Sequence, residues 1–279
     1  MSGKAGQTPS EEPTHGPALI DGPATVISWL TVLPVRGAST FDRTTGRRAM
    51  ASLPVAGVVI GLIVGLIGGL VDAVATPLLA AALTVAGFQL LTRMMHLDGL
   101  ADVGDALGSY APARRAQEIL ADSSTGALGM GTALLVLLTQ VAAYASLAQY
   151  LSPIFFGLAI LAVGFISRTA GMIGCTRGFR PFSSTGFGSL IVGTLRPGWI
   201  VGWLAVASVG LVGLAVGVDK HLAVSLAAAC ATALVIAFVL ARHCSRRFAG
   251  LNGDCVGASI ECAATAAATT TALALGIAS

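Results

Sequence analysis

Residues 51–71 read ASLPVAGVVIGLIVGLIGGLV. No charged side chain interrupts them, and they match the roughly 20 apolar residues that a helix needs to cross a bilayer. Gly57, Gly61, Gly65 and Gly69 recur at every fourth position. On a helix that spacing makes one smooth stripe, along which a second helix can approach closely. The same apolar pattern recurs to either side. Stretches 51–71, 73–92, 127–149, 153–174, 198–218, 222–241 and 257–277 are the expected spans. The expected fold class is therefore all-α, a polytopic integral membrane helical bundle of about seven transmembrane helices.

Composition points the same way. Of 279 residues, 55% are hydrophobic and 10% charged, against roughly 25% charged in an average soluble domain. Mean hydropathy is +0.84. The lipid bilayer is the expected surrounding, and a net charge of +3 is too small to suggest nucleic acid as a partner. Five cysteines, without a CxxC pair, exclude a disulfide framework. Cys244, Cys255 and Cys262 lie near His243 but lack the paired spacing of zinc sites, and they read as small packing residues. Residues 1–25 are polar and rich in proline and glycine, with no signal-peptide pattern. They are expected to form a disordered tail ahead of a single transmembrane catalytic domain, 26–279. Residues 24–35 are too short to span and are expected to lie in the interface or pack on the bundle.

The connections show a charge asymmetry. Arg36, Arg43, Arg47, Arg48, Arg93, Arg114, Arg115, Arg177, Arg180, Arg196, Arg242, Arg246 and Arg247 fall in the tail-side and even-numbered connections. The odd-numbered connections are short and hold one cation, Lys220. The positive-inside rule then places the N-terminus and the arginine-rich connections in the cytoplasm.

Six acidic residues border or enter apolar segments on that same side: Asp98, Asp102, Asp105, Asp122, Asp254 and Glu261. A carboxylate near the centre of a membrane segment costs roughly 2.5–3.5 kcal/mol, so a cluster implies a partner or a hydrated cavity. The densest run is HLDGLADVGD, His96 to Asp105. On a helix Asp98 and Asp102 are four apart and Asp102 and Asp105 three apart, so all three face one way. Like charges on one stripe repel unless a cation neutralises them or one is protonated. Hard oxygen donors favour Mg²⁺, Mn²⁺ or Ca²⁺ over zinc. An ordinary solvated loop is the alternative reading, and the intervening Leu97, Leu100, Val103 and Leu107 weigh against it.

Asp122 opens the glycine-containing turn DSSTGALG, which reads either as an N-cap or as a phosphate-facing helix start. Arg242 and Arg246 share a helical face, and arginine suits phosphate. Asn252 and Asp254, beside Gly250 and Gly253, make a polar turn entering the last span. Arg168 lies inside the fourth span, where an arginine is expected to face a cavity or a carboxylate. His96 by itself is weak evidence. No Walker A, HExxH or GxSxG pattern occurs, so the chemistry of those motifs has no support.

At these residues the chain resembles the cobalamin synthase family, adenosylcobinamide-GDP ribazoletransferases. The family pattern HLDGLADxxDG stands here as His96 to Asp105, followed by Ala106 in place of the usual glycine. The pattern RDSxxG stands as Ala121 to Gly126, without the usual arginine at Ala121. GxxGDxxGAxxE matches Gly250 to Glu261 in full. Weaker matches lie at Leu30 to Val35, Leu53-Pro54, Ser167 to Thr169 and Gly186 to Gly188, so the likeness covers about residues 27–265 in order.

The resemblance implies a transferase that joins the lower ligand to the corrin. A ribose hydroxyl of α-ribazole, or of its 5′-phosphate, attacks the pyrophosphate of adenosylcobinamide-GDP, and GMP leaves with Mg²⁺ as cofactor. It implies Asp98 and Asp102 as principal metal ligands, with Asp105 or Asp122 as the remaining ligand or the base. His96, Arg168, Arg242, Arg246, Asn252, Asp254 and Glu261 are candidates for substrate and phosphate contacts. It also implies a multi-pass inner-membrane location with the site facing the cytoplasm. A homo-oligomer and other corrin-pathway enzymes are compatible partners. A CDP-alcohol phosphotransferase acting on lipid uses similar physics with another aspartate spacing. An ion-coupled transporter should instead carry midplane carboxylates and internal repeats, neither of which is evident.

Overall fold

The computed structural model describes residues 15–278, apart from Ser123 and Val218. The chain forms α1 (Ala18–Leu30), α2 (Arg43–Ala51), α3 (Leu53–Asp72), α4 (Pro77–Leu91), α5 (Met95–Gly108), α6 (Ala113–Leu120), α7 (Ala127–Tyr150), α8 (Pro153–Gly171), α9 (Phe187–Ile191), α10 (Gly198–Gly217), α11 (Lys220–Arg247) and α12 (Gly253–Ala278). Local signals start several of them. Asp42 accepts a hydrogen bond from Thr45 N at the head of α2, Thr76 accepts from Leu79 N ahead of Pro77 in α4, and Asp219 accepts from His221 N and Leu222 N at α11.

Among the described residues, α3, α7, α8 with the turn that follows it, α10, α11 and α12 are each long and apolar enough to cross a membrane. The glycine stripe of α3 meets α8. A Cβ at Gly57, Gly61, Gly65 or Gly69 would run into the backbone of Gly164, Leu161, Gly157 or Pro153 in turn, so the two helices pack backbone to backbone and antiparallel. α12 lies inside the bundle against α5, α7, α8 and α11. α10 is the outlier, with no buried residue, tied on by Trp203 Nε1 donating to Ala51 O at 2.8 Å.

Two expectations change. The span expected at 73–92 is the shorter α4, which starts only at Pro77 behind its Thr76 cap, and Arg93 and Met94, both with left-handed backbone angles (φ 56°), turn α5 by 90° from it. α4 nonetheless returns the chain to the end where α3 began: Gly68 meets Thr84, Gly87 meets Val64, and Leu91 O accepts from Val32 N. α5 therefore does not continue the crossing but turns along one end of the bundle.

The boundary expected at residues 25–26, between tail and domain, also moves. Residues 1–14 lie outside the described residues, but α1 already begins at Ala18. Its buried side is Gly22, Thr25, Val26 and Leu30, mostly small residues that leave little hydrophobic period to read. Gly22 sits against Ser52 and the Arg48 carbonyl, and Arg48 pairs with Asp21 at 3.5 Å. The short apolar stretch 24–35 thus packs on the bundle through α1. At the other end, α12 starts at Gly253 rather than 257, which puts Asp254 in its first turn.

Candidate functional site

Glycines set the place of α5. A Cβ at Gly99 would stand 2.8 Å from Asp254 Cα, and one at Gly257 would stand 3.2 Å from His96 Cα. Further along, Gly104 abuts Thr132 and Gly129, and Gly108 abuts Leu128. α5 thus crosses the N-terminal ends of both α12 and α7. Leu100, Val103 and Ala106 are buried beneath it, whereas Asp98 is exposed and Asp102 and Asp105 are half-buried.

This arrangement gathers carboxylates from separate segments. Asp102 is under the electrostatic influence of Asp98, Asp254, Asp105 and Asp122, in that order of strength. Burial and those like charges push the Asp102 carboxyl up to about 7. Neither Asp98 nor Asp102 accepts a hydrogen bond among the described residues. Asp105 is different: its Oδ2 accepts from Gly126 N at 2.6 Å and its Oδ1 from Gly129 N at 2.8 Å. It therefore caps the first turn of α7 from a neighbouring helix. Asp122 is exposed, and hydrogen bonds from the Ser124 hydroxyl (2.7 Å) and amide (2.9 Å) hold its carboxyl below the ordinary range. Ser123, part of the same motif, lies outside the described residues. Asp254 accepts from Asn252 Nδ2, and Asn252 Oδ1 accepts from Cys255 N at 3.0 Å, so Asn252 caps α12 and steadies Asp254 together.

Other candidates fall elsewhere. Arg168 and Glu261 are 3% and 4% exposed, inside the bundle. Glu261 accepts from Gln89 Nε2 at 3.2 Å and Gln140 Nε2 at 3.0 Å. Arg168 donates to Ser167 Oγ at 3.1 Å and lies over the Phe88 ring at 5.4 Å. Arg168 and Glu261 attract one another without a direct ion pair among the described residues. This network joins α4, α7, α8 and α12, so these two residues sit apart from the carboxylate surface. Gln89 and Gln140 were not singled out from sequence, although a glutamine inside an apolar span carries the same signal as Arg168.

His96 is 3% exposed, with both ring nitrogens unpartnered among the described residues. Burial and the nearby Arg168 charge hold its imidazole down to about 3, hence neutral. It lines a small cavity of about 70 Å³ that Asp254 also borders. Arg242 and Arg246 are exposed and make no hydrogen bond or ion pair among the described residues. Arg247 instead reaches across, donating to Ala111 O at 3.0 Å. Cys175, Cys230, Cys244, Cys255 and Cys262 are all free.

Among the described residues no three His, Cys, Asp or Glu side chains stand close enough to hold a metal ion by themselves. Mg²⁺ makes a smaller demand, one or two carboxylates with waters and substrate phosphates in the other positions. Asp98 and Asp102, whose oxygens accept no hydrogen bond among the described residues, are the residues that would hold it, in a field of like charge that a divalent cation would relieve.

Beside the carboxylates, segment 181–189 folds over the start of α12. Phe182 N donates to Leu251 O at 3.2 Å, and a Cβ at Gly188 would press on Asn252 Cα at 2.8 Å. Between them lies a cavity of about 290 Å³ bordered by Ala121, Phe182, Phe187, Asn252 and Asp254. Ala121, where the family pattern has arginine, thus sits on a cavity wall.

Known proteins match this chain along its length. It is 47% identical to an adenosylcobinamide-GDP ribazoletransferase of Corynebacterium efficiens, over 99% of this chain and 98% of the relative. A protein of the same name from Corynebacterium diphtheriae is 39% identical over 99% of each chain. One from Frankia casuarinae is 39% identical over 91% of this chain and 94% of its own. No solved structure matches. The family model described as cobalamin-5-phosphate synthase matches residues 22–272, a range that includes Asp98, Asp102, Asp105, Asp122 and Asp254, and the chain belongs to that family.

Proposed function

We propose that this chain joins α-ribazole, or its 5′-phosphate, to adenosylcobinamide-GDP, releasing GMP. The observation that carries the reading is the meeting of Asp98, Asp102, Asp105, Asp122 and Asp254 at one end of a membrane bundle, in a chain of this family. The site faces the cytoplasm across the inner membrane, because the arginine-rich connections belong on that side.

Asp98 and Asp102 would hold Mg²⁺, which when bound would neutralise charge on the pyrophosphate and the departing phosphate. The residues of the chain do the rest. Asp254, steadied by Asn252, borders the nucleotide. Asp105 positions α7 against α5 through its two amide hydrogen bonds. Asp122 is exposed and both of its hydrogen bonds fall on Oδ1, so Oδ2 is available to accept the proton of the attacking hydroxyl. Arg242 and Arg246, exposed on α11 and without an ion pair among the described residues, are available to phosphate groups.

Membranes bearing the protein, incubated with adenosylcobinamide-GDP and α-ribazole, should release GMP. EDTA should stop the release and Mg²⁺ restore it. Asp98→Asn and Asp102→Asn should insert and purify normally yet release none. Release of CMP from a CDP-alcohol in place of GMP would replace this reading with lipid phosphotransfer.

A further inference from the structure

We propose that the cavity of about 290 Å³ beside Asp254 is the seat of a purine base, that of the guanine nucleotide that leaves. This rests on the function proposed above. Its volume is close to the lower limit of small-molecule sites, about 300 Å³. That suits a nucleobase and is far too small for a corrin macrocycle.

The walls suit a flat heteroaromatic ring. Phe182 and Phe187 both line the cavity, and aromatic side chains are the usual platform for a base. The Phe187 ring is held in place from outside by Trp29, edge-on at 5.3 Å, which itself stacks on Phe41 at 5.8 Å. Ser183 and Thr185 supply hydroxyls at the rim, 3.1 Å from one another.

Asn252 gives the cavity a directional polar group. Its Oδ1 accepts one hydrogen bond, from Cys255 N, and its Nδ2 donates one, to Asp254. A carboxamide has two lone pairs and two N–H groups, so one acceptor and one donor stay unused in a side chain whose orientation is already fixed. A purine edge that offers a donor beside an acceptor, as guanine does, complements that pair.

Position completes the argument. Asp254 borders the cavity and also packs against Gly99 of α5, beside Asp98 and Asp102. A base seated between the phenylalanines therefore directs its phosphates toward the carboxylates.

The test is equilibrium binding of GMP, with Mg²⁺, to purified full-length protein, alongside GMP release by the same preparations. Wild-type protein should bind GMP well ahead of CMP. Phe182→Leu and Phe187→Leu should each weaken GMP binding about ten-fold, the scale of one lost base–aromatic stack. Thr185→Trp, at an exposed loop position, should block GMP while the protein remains folded, which keeps the test sharp if a phenylalanine variant misfolds. Unchanged GMP affinity in these variants, or no preference of the wild type for GMP over CMP, overturns the base site. Wild-type protein that binds GMP but transfers nothing would instead count against the proposed reaction and leave the base site supported.

Discussion

Replacing Asp105 by asparagine changes one oxygen to an NH₂ group, and the surroundings of that carboxylate make the cost calculable. Both oxygens accept backbone amides at the start of α7, from Gly126 at 2.6 Å and Gly129 at 2.8 Å. Asparagine keeps one acceptor and turns a donor toward the other amide. The lost charge-assisted bond is worth about 1.5–3 kcal/mol, and the surviving bond loses its charge assistance, about 1 kcal/mol more. Removing a like charge near Asp102 gives back about 1 kcal/mol at an effective dielectric suited to a partly hydrated site. The net expectation is a destabilisation of about 1.5–3 kcal/mol in metal-free protein. Asp98→Asn is the control: Asp98 is exposed and unbonded, so its variant should stay within about 0.5 kcal/mol of wild type, or rise slightly. Unfolding of both variants in detergent with EDTA, followed by tryptophan fluorescence against added denaturing detergent, separates the cases. Equal stability of wild type and Asp105→Asn would show that α7 is not held through this carboxylate.

Asp102 supplies a pH prediction. Its carboxyl in the folded chain, raised by burial and then by its neighbours to about 7, exceeds the unfolded value of about 3.9. Its contribution favours folding fully below pH 4 and is lost as pH rises through about 7. Metal-free wild type should therefore lose stability between pH 4 and 7 relative to Asp102→Asn, measured as the difference between their thermal midpoints at each pH; a constant difference would refute the raised value. Inside the bundle, Glu261→Gln leaves Arg168 without its counter-charge and Arg168→Gln does the reverse. Each should destabilise by about 1–3 kcal/mol, the scale of a buried group that loses charge-assisted partners, and the double variant should fall short of the sum by about 0.5 kcal/mol or more. Strict additivity in that cycle would mean that the two charges do not interact. At the helix seam, Gly65→Leu drives a side chain into the Gly157 carbonyl and should cost about 1–3 kcal/mol or more. Gly131→Leu, with open space around it, should be tolerated, and comparing the yields of folded protein for the two checks the seam.

Much of the site was legible because its signals are local. Asp98, Asp102 and Asp105 recur at helical spacing, and three- and four-residue steps put side chains on one face whatever surrounds them. Asp122 and Asp254 were legible as polar groups at the starts of apolar segments. Their roles were not. That Asp105 caps α7, or that Asn252 braces Asp254, depends on which helix end arrives beside them. Arg168 and Glu261 read as candidates for phosphate contact because each is a charge in or beside an apolar segment; packing set Glu261 against Gln89 and Gln140, and Arg168 against Ser167 and the Phe88 ring.

Sequence by itself determined the solvent of this protein, the approximate spans and the stripe of α3, since each follows from composition or from a short period along one helix. The 90° turn at Arg93 and Met94 was beyond its reach. Left-handed backbone at two residues other than glycine is locally unfavourable, and it persists only where surrounding contacts over-determine it. Here those contacts are made by α1, α7 and α12, far away along the chain. Tertiary structure therefore decided that α5 lies across the bundle rather than through it, and with that, which aspartates share one face of the molecule.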